Sequence, residues 1–196
     1  MSINSQLAKH HYLVVRDFLS KERAQELADA FSHHIENNGA IAYDPMAPTS
    51  PAAYNFRPFL SELLYSHKKM EAITETALYP TYCYARQYRN NASIQRHVDR
   101  EACQISVTVC LEKDCDWRFY VRDGDNEMPA EVELEPGDAV IYLGEIAEHW
   151  RLGYGGKSHT QLFLHYVRAY GANYWAYFDK FKYNPNGSEN EKFLPK

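Results

Sequence analysis

Two histidines and one aspartate in the second half of this 196-residue chain have the types and the spacing of a metal site. His97 and Asp99 stand two residues apart near the end of a predicted strand, so their side chains share one face of it. His149 follows about fifty residues later, which leaves enough chain for several strands to return to the first pair. Two imidazoles and one carboxylate leave open positions on a metal, which suits non-haem Fe(II), whereas structural zinc takes four protein ligands.

The chain around these residues reads as a run of short strands. Alternation of apolar and polar residues is clearest over 104–111, where the apolar residues share one face. Turn sequences such as Pro136-Gly137-Asp138 separate the strands. Short strands divided by such turns fit one jelly roll, and we predict them at 82–88, 94–98, 104–111, 117–121, 132–134, 139–143, 146–150 and 160–167.

The first eighty residues have a helical pattern instead. A strand is predicted at 12–15, a helix capped by Ser20 follows, and 59–78 has the spacing of two short helices broken near Ser66. The proline-rich segment 44–58 is expected to form a surface loop and is a candidate lid. We therefore predict a single jelly-roll domain over 1–183 and a flexible tail at 184–196. Within the domain, a helical layer occupies about 17–79 and a β core about 81–169.

Several weak motifs occur in one order between Tyr82 and Ala169. They are Arg86-Gln-Tyr88, Gln95-Arg-His97-Val-Asp99, the strand 104–111, Pro136-Gly-Asp-Ala139, His149 and the strand 160–167. In this order they resemble the Fe(II)/2-oxoglutarate-dependent dioxygenases, and within them the prolyl-hydroxylase-like branch.

The resemblance implies a mainly β, α+β fold: a double-stranded β-helix, or jelly roll, with N-terminal helices packed on the major sheet. It implies that His97, Asp99 and His149 hold Fe(II), and that Tyr88 contacts the co-substrate 2-oxoglutarate. With dioxygen, such an enzyme hydroxylates a C–H bond of a substrate, here a peptidyl residue or a small metabolite.

The sequence departs from this family where a cation is expected. The family has an Arg or Lys about nine to eleven residues after the distal histidine, and this cation binds the far carboxylate of 2-oxoglutarate. Here the window holds Ser158, His159 and Thr160, and an imidazole is charged only when protonated. The rival anchors are permanent cations: Arg86, Lys157, Arg118 and Arg122.

The missing cation keeps two other functions open. One is a cupin-like metal-dependent enzyme that does not use 2-oxoglutarate, and the other is a non-catalytic jelly-roll binding module. Release of labelled carbon dioxide from 2-oxoglutarate separates both from an oxygenase.

Four further groups of residues have predicted positions or roles. Tyr82, Tyr84, Arg86 and Tyr88 share one strand face and are expected to line the pocket, and His165 is expected to be structural. Arg151 points to the same side as His149 and either meets substrate or forms a salt bridge at the rim. An aromatic C-terminal cluster is expected to pack across the helical layer or, alternatively, to form a docking surface for a peptide or for a second copy in a homodimer. Its members are Tyr170, Tyr174, Trp175, Tyr177, Phe178 and Phe181.

Composition excludes several classes of partner. The formal net charge of −5 provides no global positive field for nucleic acid. No apolar run approaches the roughly 18 residues of a membrane helix, and no signal-peptide pattern opens the sequence. The four cysteines form no Cys-x-x-Cys pair and are expected to be reduced. The expected location is the cytoplasm.

Overall fold

A computed structural model describes residues 3–38 and 47–179 of the chain. Within these ranges the helices are α1 (Ser5–His10), α2 (Lys21–Asn38), α3 (Arg57–Tyr65) and α4 (His67–Thr74), with short 3-10 helices at Glu101–Cys103 and Tyr174–Asp179. The strands are β1 (Tyr12–Val15), β2 (Ala52–Tyr54), β3 (Leu78–Arg89), β4 (Ile94–His97), β5 (Ile105–Lys113), β6 (Phe119–Val121), β7 (Ala130–Val132), β8 (Ala139–Tyr142), β9 (His149–Arg151) and β10 (Ser158–Arg168).

The strands form two antiparallel sheets that face each other. The major sheet has the order β1-β8-β5-β10-β3-β2, and the minor sheet has the order β4-β9-β6-β7. Side chains from both sheets meet in the space between them, where the rings of Phe119 on β6 and Tyr142 on β8 lie 5.5 Å apart. This space is called the barrel interior below.

The two faces of the major sheet differ because apolar and polar residues alternate along its central strands. On β5, Ile105, Val107 and Val109 are buried in a core that also contains Phe31 of α2 and Leu63 of α3. The residues between them on β5 are also buried and face the barrel interior, and they include hydroxyl-bearing side chains. The predicted mainly β fold, with N-terminal helices on the major sheet, is therefore confirmed.

The predicted surface loop at 44–58 is wrong at 52–54 and 57–58, where the structure has a strand and the start of α3. Residues 52–54 form β2, which pairs with β3 at the edge of the major sheet, and Ala52 and Ala53 are buried. Pro51 and Pro58 flank this strand and do not interrupt it, and an edge position tolerates prolines better than a central one. Residues 51–54 are thus bonded to the sheet, while 44–46 of the candidate lid lie outside the described residues.

Some predicted strand boundaries are also wrong. The strand predicted at 146–150 occupies Arg151 and the two residues before it, and Ile146 is exposed in the preceding turn. The strands predicted at 132–134 and 117–121 lie at 130–132 and 119–121. The sequence does not predict helix α1, because its six residues are too few to show a periodic apolar pattern. The side chain of Asn4 caps this helix by accepting hydrogen bonds from two backbone N–H groups.

Two expectations reach beyond the described residues. The tail at 184–196 and Phe181 lie outside them, and the single domain over 1–183 stays a prediction. Among the described helices, none is long and apolar enough to cross a membrane.

Replacing Leu162 tests the contact between the helices and the major sheet. Leu162 on β10 is fully buried in the helix-side core. Leu162→Ala should lower the free energy of unfolding by about 2–5 kcal/mol, because it removes buried methyl groups and leaves a cavity. Chemical denaturation measures this change. The control Leu64→Ala removes the same atoms at a position that is 50% exposed and should cost less than about 1 kcal/mol; equal effects would contradict the assigned core.

Candidate metal centre

The side chains of His97, Asp99 and His149 converge at one end of the minor sheet. His97 on β4 pairs with His149 on β9, and Asp99 lies two residues beyond His97. The Asp99 Oδ1 atom is 3.8 Å from Nε2 of His97 and 3.7 Å from Nε2 of His149. The ligand atoms of the three side chains all lie within 4.8 Å of one another, which is compact enough for one metal ion.

Hydrogen bonds prepare both imidazoles for a metal. His97 Nδ1 lies 2.7 Å from the carbonyl oxygen of Gln95, and His149 Nδ1 lies 2.9 Å from that of Ala147. A carbonyl oxygen accepts only, so each Nδ1 carries the proton and each Nε2 presents a lone pair. Burial also lowers the pKa of His149 from its ordinary value, which favours its neutral form. The donor set therefore fits a divalent cation with three protein ligands.

The carboxylate of Asp99 is held in place from behind. Its Oδ2 accepts a hydrogen bond of 2.9 Å from Ser106 Oγ, which leaves Oδ1 directed at the histidines. The Asp99 backbone N–H donates to the carbonyl oxygen of Gly144 at 2.8 Å. A Cβ at Gly144 would lie 2.2 Å from the Cys103 carbonyl oxygen and 2.7 Å from Asp99 Oδ2, so only glycine permits this approach.

A second cluster shares Asp99 but has poorer donors. Asp99, Cys103 and His165 also bring ligand atoms within 4.8 Å of one another. Nδ1 of His165 lies 2.9 Å from Ser106 Oγ, and the Cys103 sulfur lies 3.0 Å from the Tyr82 hydroxyl. Burial raises the pKa of the Cys103 thiol well above its ordinary value, so it is not a thiolate. His165 thus supports Asp99 through Ser106, in accord with the structural role expected for it.

The tyrosine-rich face of β3 borders the barrel interior, as predicted. Cys83 and Ala85 point to the helix-side core, so the alternate residues point inward. Tyr88 is 2% exposed, and its ring lies 4.8 Å from that of Trp117 and 6.3 Å from that of His159. At the other end of the face, the Tyr82 ring lies 4.4 Å from that of His165.

His159 lies in this interior, where burial disfavours its charged form. Its ring contacts those of Trp117 and Tyr154 at 5.3 and 5.7 Å. Burial lowers the pKa of His159 well below its ordinary value, and the nearby charges of Arg151 and Lys113 act in the same direction. Burial therefore favours the uncharged imidazole, and His159 stays a candidate for 2-oxoglutarate binding as a hydrogen-bonding group.

Arg151 is buried in the same interior, which contradicts the expected alternative of a salt bridge at the rim. It is 4% exposed, and its Nη1 donates to the carbonyl oxygen of Trp117. Its Cζ lies 4.6 Å from the centre of the Trp117 ring and 5.4 Å from that of Phe119. Alternation along β9 places Arg151 on the side of His149, where the minor sheet faces the major sheet.

The other candidate anchors divide between the surface and the interior. Lys157 is exposed, and Arg118 is exposed on the outer face of the minor sheet, where it bonds Glu131 and Glu133. Arg122 donates to the Glu127 carbonyl oxygen in the turn that follows β6. Arg86 is buried and donates to the Tyr84 hydroxyl at 3.1 Å, with its guanidinium over the rings of Tyr84 and Tyr88.

The C-terminal aromatic segment packs next to the metal centre rather than across the helical layer. Ala176 belongs to one hydrophobic cluster with Ala102 of the 3-10 helix that follows Asp99, and Trp175 packs against this cluster. Asp179 accepts two hydrogen bonds from Arg100, at 2.9 and 2.6 Å, and one from Tyr54. The expectation is wrong because this ion pair, which joins residues 79 positions apart, leaves no periodic signal in the sequence.

Comparison with known proteins identifies the fold. No protein-family model and no curated protein sequence matches the chain. A Pseudomonas putida prolyl-4-hydroxylase structure matches with a TM-score of 0.69 and 16% identity, over 83% of this chain and 95% of that one. The chain is a double-stranded β-helix.

Two further structures agree with this assignment. HygX from Streptomyces hygroscopicus, solved with nickel and 2-oxoglutarate bound, has a TM-score of 0.63 and 11% identity, over 84% of this chain and 85% of that one. A Trichoplax adhaerens prolyl hydroxylase, in complex with a peptide of hypoxia inducible factor, has a TM-score of 0.63 and 14% identity, over 83% and 86%. The double-stranded β-helix expected from the motifs is thus confirmed, and the site rests on the geometry described above.

Ser106 provides a test of how Asp99 is held. Ser106→Ala should weaken metal binding by about 10–100-fold, because it removes the hydrogen bond that orients the carboxylate. Titration of the metal-free protein with Fe(II) without oxygen measures the affinity. The control Thr81→Val removes another buried hydroxyl, which donates to the Ala102 carbonyl oxygen. This variant should leave the Fe(II) affinity unchanged. Equal affinities in both variants and wild type would show that Asp99 needs no support from Ser106.

Proposed function

We propose that this protein is an Fe(II)- and 2-oxoglutarate-dependent oxygenase that hydroxylates a C–H bond of its substrate. The observation that carries the proposal is the convergence of two imidazole Nε2 atoms and one carboxylate oxygen at the edge of a barrel interior. A three-ligand set leaves coordination positions for a co-substrate and dioxygen. The likeness to the prolyl-4-hydroxylase and to HygX with nickel and 2-oxoglutarate supports the same chemistry.

The residues of this chain would bind the metal, border the co-substrate and exclude water. His97, Asp99 and His149 would hold Fe(II), and the Asp99 carboxylate would offset part of its charge. With 2-oxoglutarate and dioxygen, the bound iron supplies the oxidation of the substrate, and 2-oxoglutarate is converted to succinate and carbon dioxide. Tyr88 borders the interior where the co-substrate would bind, and its aromatic neighbours would keep water away from the reacting atoms.

The substrate class stays open between a peptidyl residue and a small metabolite. The bound peptide in the Trichoplax prolyl hydroxylase supports the first class. A fold by itself does not select a substrate, because loops around the site do so.

Two expectations stay predictions. A homodimer could use the exposed aromatic side chains of Tyr170, Tyr174 and Phe178, and sedimentation of wild type and a Tyr170→Ser variant tests it. The cytoplasmic location rests on the sequence alone.

Turnover of labelled 2-oxoglutarate tests the proposed function. Fe(II)-loaded protein should release labelled carbon dioxide when oxygen is admitted, and candidate peptides or metabolites should accelerate the release. Protein without metal is the control. If 2-oxoglutarate neither binds nor decarboxylates, a cupin-like enzyme or a binding module becomes the better assignment.

The ligand set has its own test in two variants. Asp99→Ala should abolish stoichiometric iron binding, because the site loses its one carboxylate. His165→Ala should keep the iron, since His165 contacts Asp99 only through Ser106. Metal content after Fe(II) loading and desalting measures both. Iron lost from the His165 variant and retained by an His149→Ala variant would assign the site to the second cluster instead.

A further inference from the structure

Three buried side chains on β9 and β10 have polar atoms without partners. Among residues 3–38 and 47–179, Nη2 of Arg151, both ring nitrogens of His159 and Oε1 of Gln161 form no hydrogen bond. Arg151 is 4% exposed, and the other two are 1% exposed. Buried polar groups in proteins are nearly always hydrogen-bonded. Several such atoms in one interior therefore indicate a ligand that satisfies them.

These side chains belong to one cluster. The Trp117 ring joins two of them, with the Arg151 Cζ 4.6 Å from its centre and the His159 ring 5.3 Å away. His159 and Gln161 alternate along β10 and share its inner face. Gln161 Nε2 donates to Thr108 Oγ1 at 2.7 Å, so the amide oxygen is its unused end.

The ligand should be anionic because Arg151 is a cation without a counter-ion in this part of the structure. No carboxylate within the described ranges pairs with it, and its guanidinium lies between the rings of Trp117 and Phe119. Of the other cations nearby, Lys113 already bonds Asp116 and Glu135, and Arg86 donates to the Tyr84 hydroxyl. A buried charge without a partner is strongly unfavourable, and the fork of a guanidinium matches a carboxylate.

The cluster is next to the candidate metal centre. Arg151 follows His149 by two residues on β9, so both side chains point inward. Phe119 bridges them: its ring centre lies 5.7 Å from that of His149 and 5.4 Å from the Arg151 Cζ. An anionic group on Arg151 could therefore belong to a molecule that also reaches the metal.

We propose that Arg151 binds the far carboxylate of 2-oxoglutarate, with His159 as a hydrogen-bonding partner. The proposal rests on the proposed function and refines it: one short strand, β9, carries both a metal ligand and the anchor. Enzymes that this chain resembles place their cation at the start of the last strand, where this chain has His159. Here the positive charge lies on β9 of the facing minor sheet instead.

A pair of ligands isolates the far carboxylate. Calorimetry on Fe(II)-loaded protein without oxygen compares 2-oxoglutarate with 2-oxopentanoate, which has the same carbon chain but lacks that carboxylate. Arg151→Gln should weaken 2-oxoglutarate binding by about 100-fold or more, because a buried carboxylate loses its charged partner. It should change the affinity for 2-oxopentanoate by less than about 3-fold. Arg118→Gln, which removes a cation from the outer face of the same sheet, should leave both affinities unchanged.

The outcomes separate this inference from the proposed function. If wild type does not bind 2-oxoglutarate, the proposed function fails. If wild type binds it and Arg151→Gln binds it equally well, only the role of Arg151 is overturned. Loss of the preference for 2-oxoglutarate in Arg86→Gln, with Arg151→Gln unaffected, would make Arg86 the anchor.

A second measurement does not depend on the folding of a variant. A crystal structure of wild type with Mn(II) and 2-oxoglutarate should show the far carboxylate within hydrogen-bonding distance of Arg151. A carboxylate bound to Arg86 or to another cation would overturn the proposal.

Discussion

The candidate metal centre depends on the pairing of two very short strands, β4 and β9. The register sets Ile94 opposite Arg151 and His97 opposite His149, so β4 has one more residue than β9 between these pairs. This bulge lets Ile94 and His97 both face the interior although they are three residues apart, since a regular strand would turn them to opposite faces. Without it, the two imidazoles would not share a side of the minor sheet.

The remaining parts of the centre constrain Asp99, which lies beyond the end of β4. A carboxylate at a strand end has several orientations, and the bond from Ser106 on β5 selects one of them. The backbone contact with Gly144 fixes the position of its main chain. The major sheet therefore orients the carboxylate that the minor sheet presents, and the site exists only when both sheets are assembled.

The barrel interior is unusually polar for a protein core. Burying Arg151, His159 and Gln161 is unfavourable unless their polar atoms are bonded. The opposite face of the major sheet bears the apolar packing, where Leu162, Val107 and Ile141 are fully buried against the helices. This separation allows one face of a sheet to stabilise the fold while the other is adapted to bind ligands, and it explains why stability and site chemistry occupy alternate residues of β5 and β10.

The sequence by itself determined the fold class, the inward face of β3 and the residues of the candidate metal centre. The fold class and the inward face of β3 follow from alternation between neighbouring residues, and the metal-site residues follow from the order of motifs along the chain, which resembles that of a known family. Only the tertiary structure decided the environments of the charged groups. Burial lowers the pKa of His159 and makes Arg151 an interior cation, and burial depends on which strands pack together. The pairing of Arg100 with Asp179 could not be predicted from the sequence either, because a contact between distant residues has no local pattern in the chain.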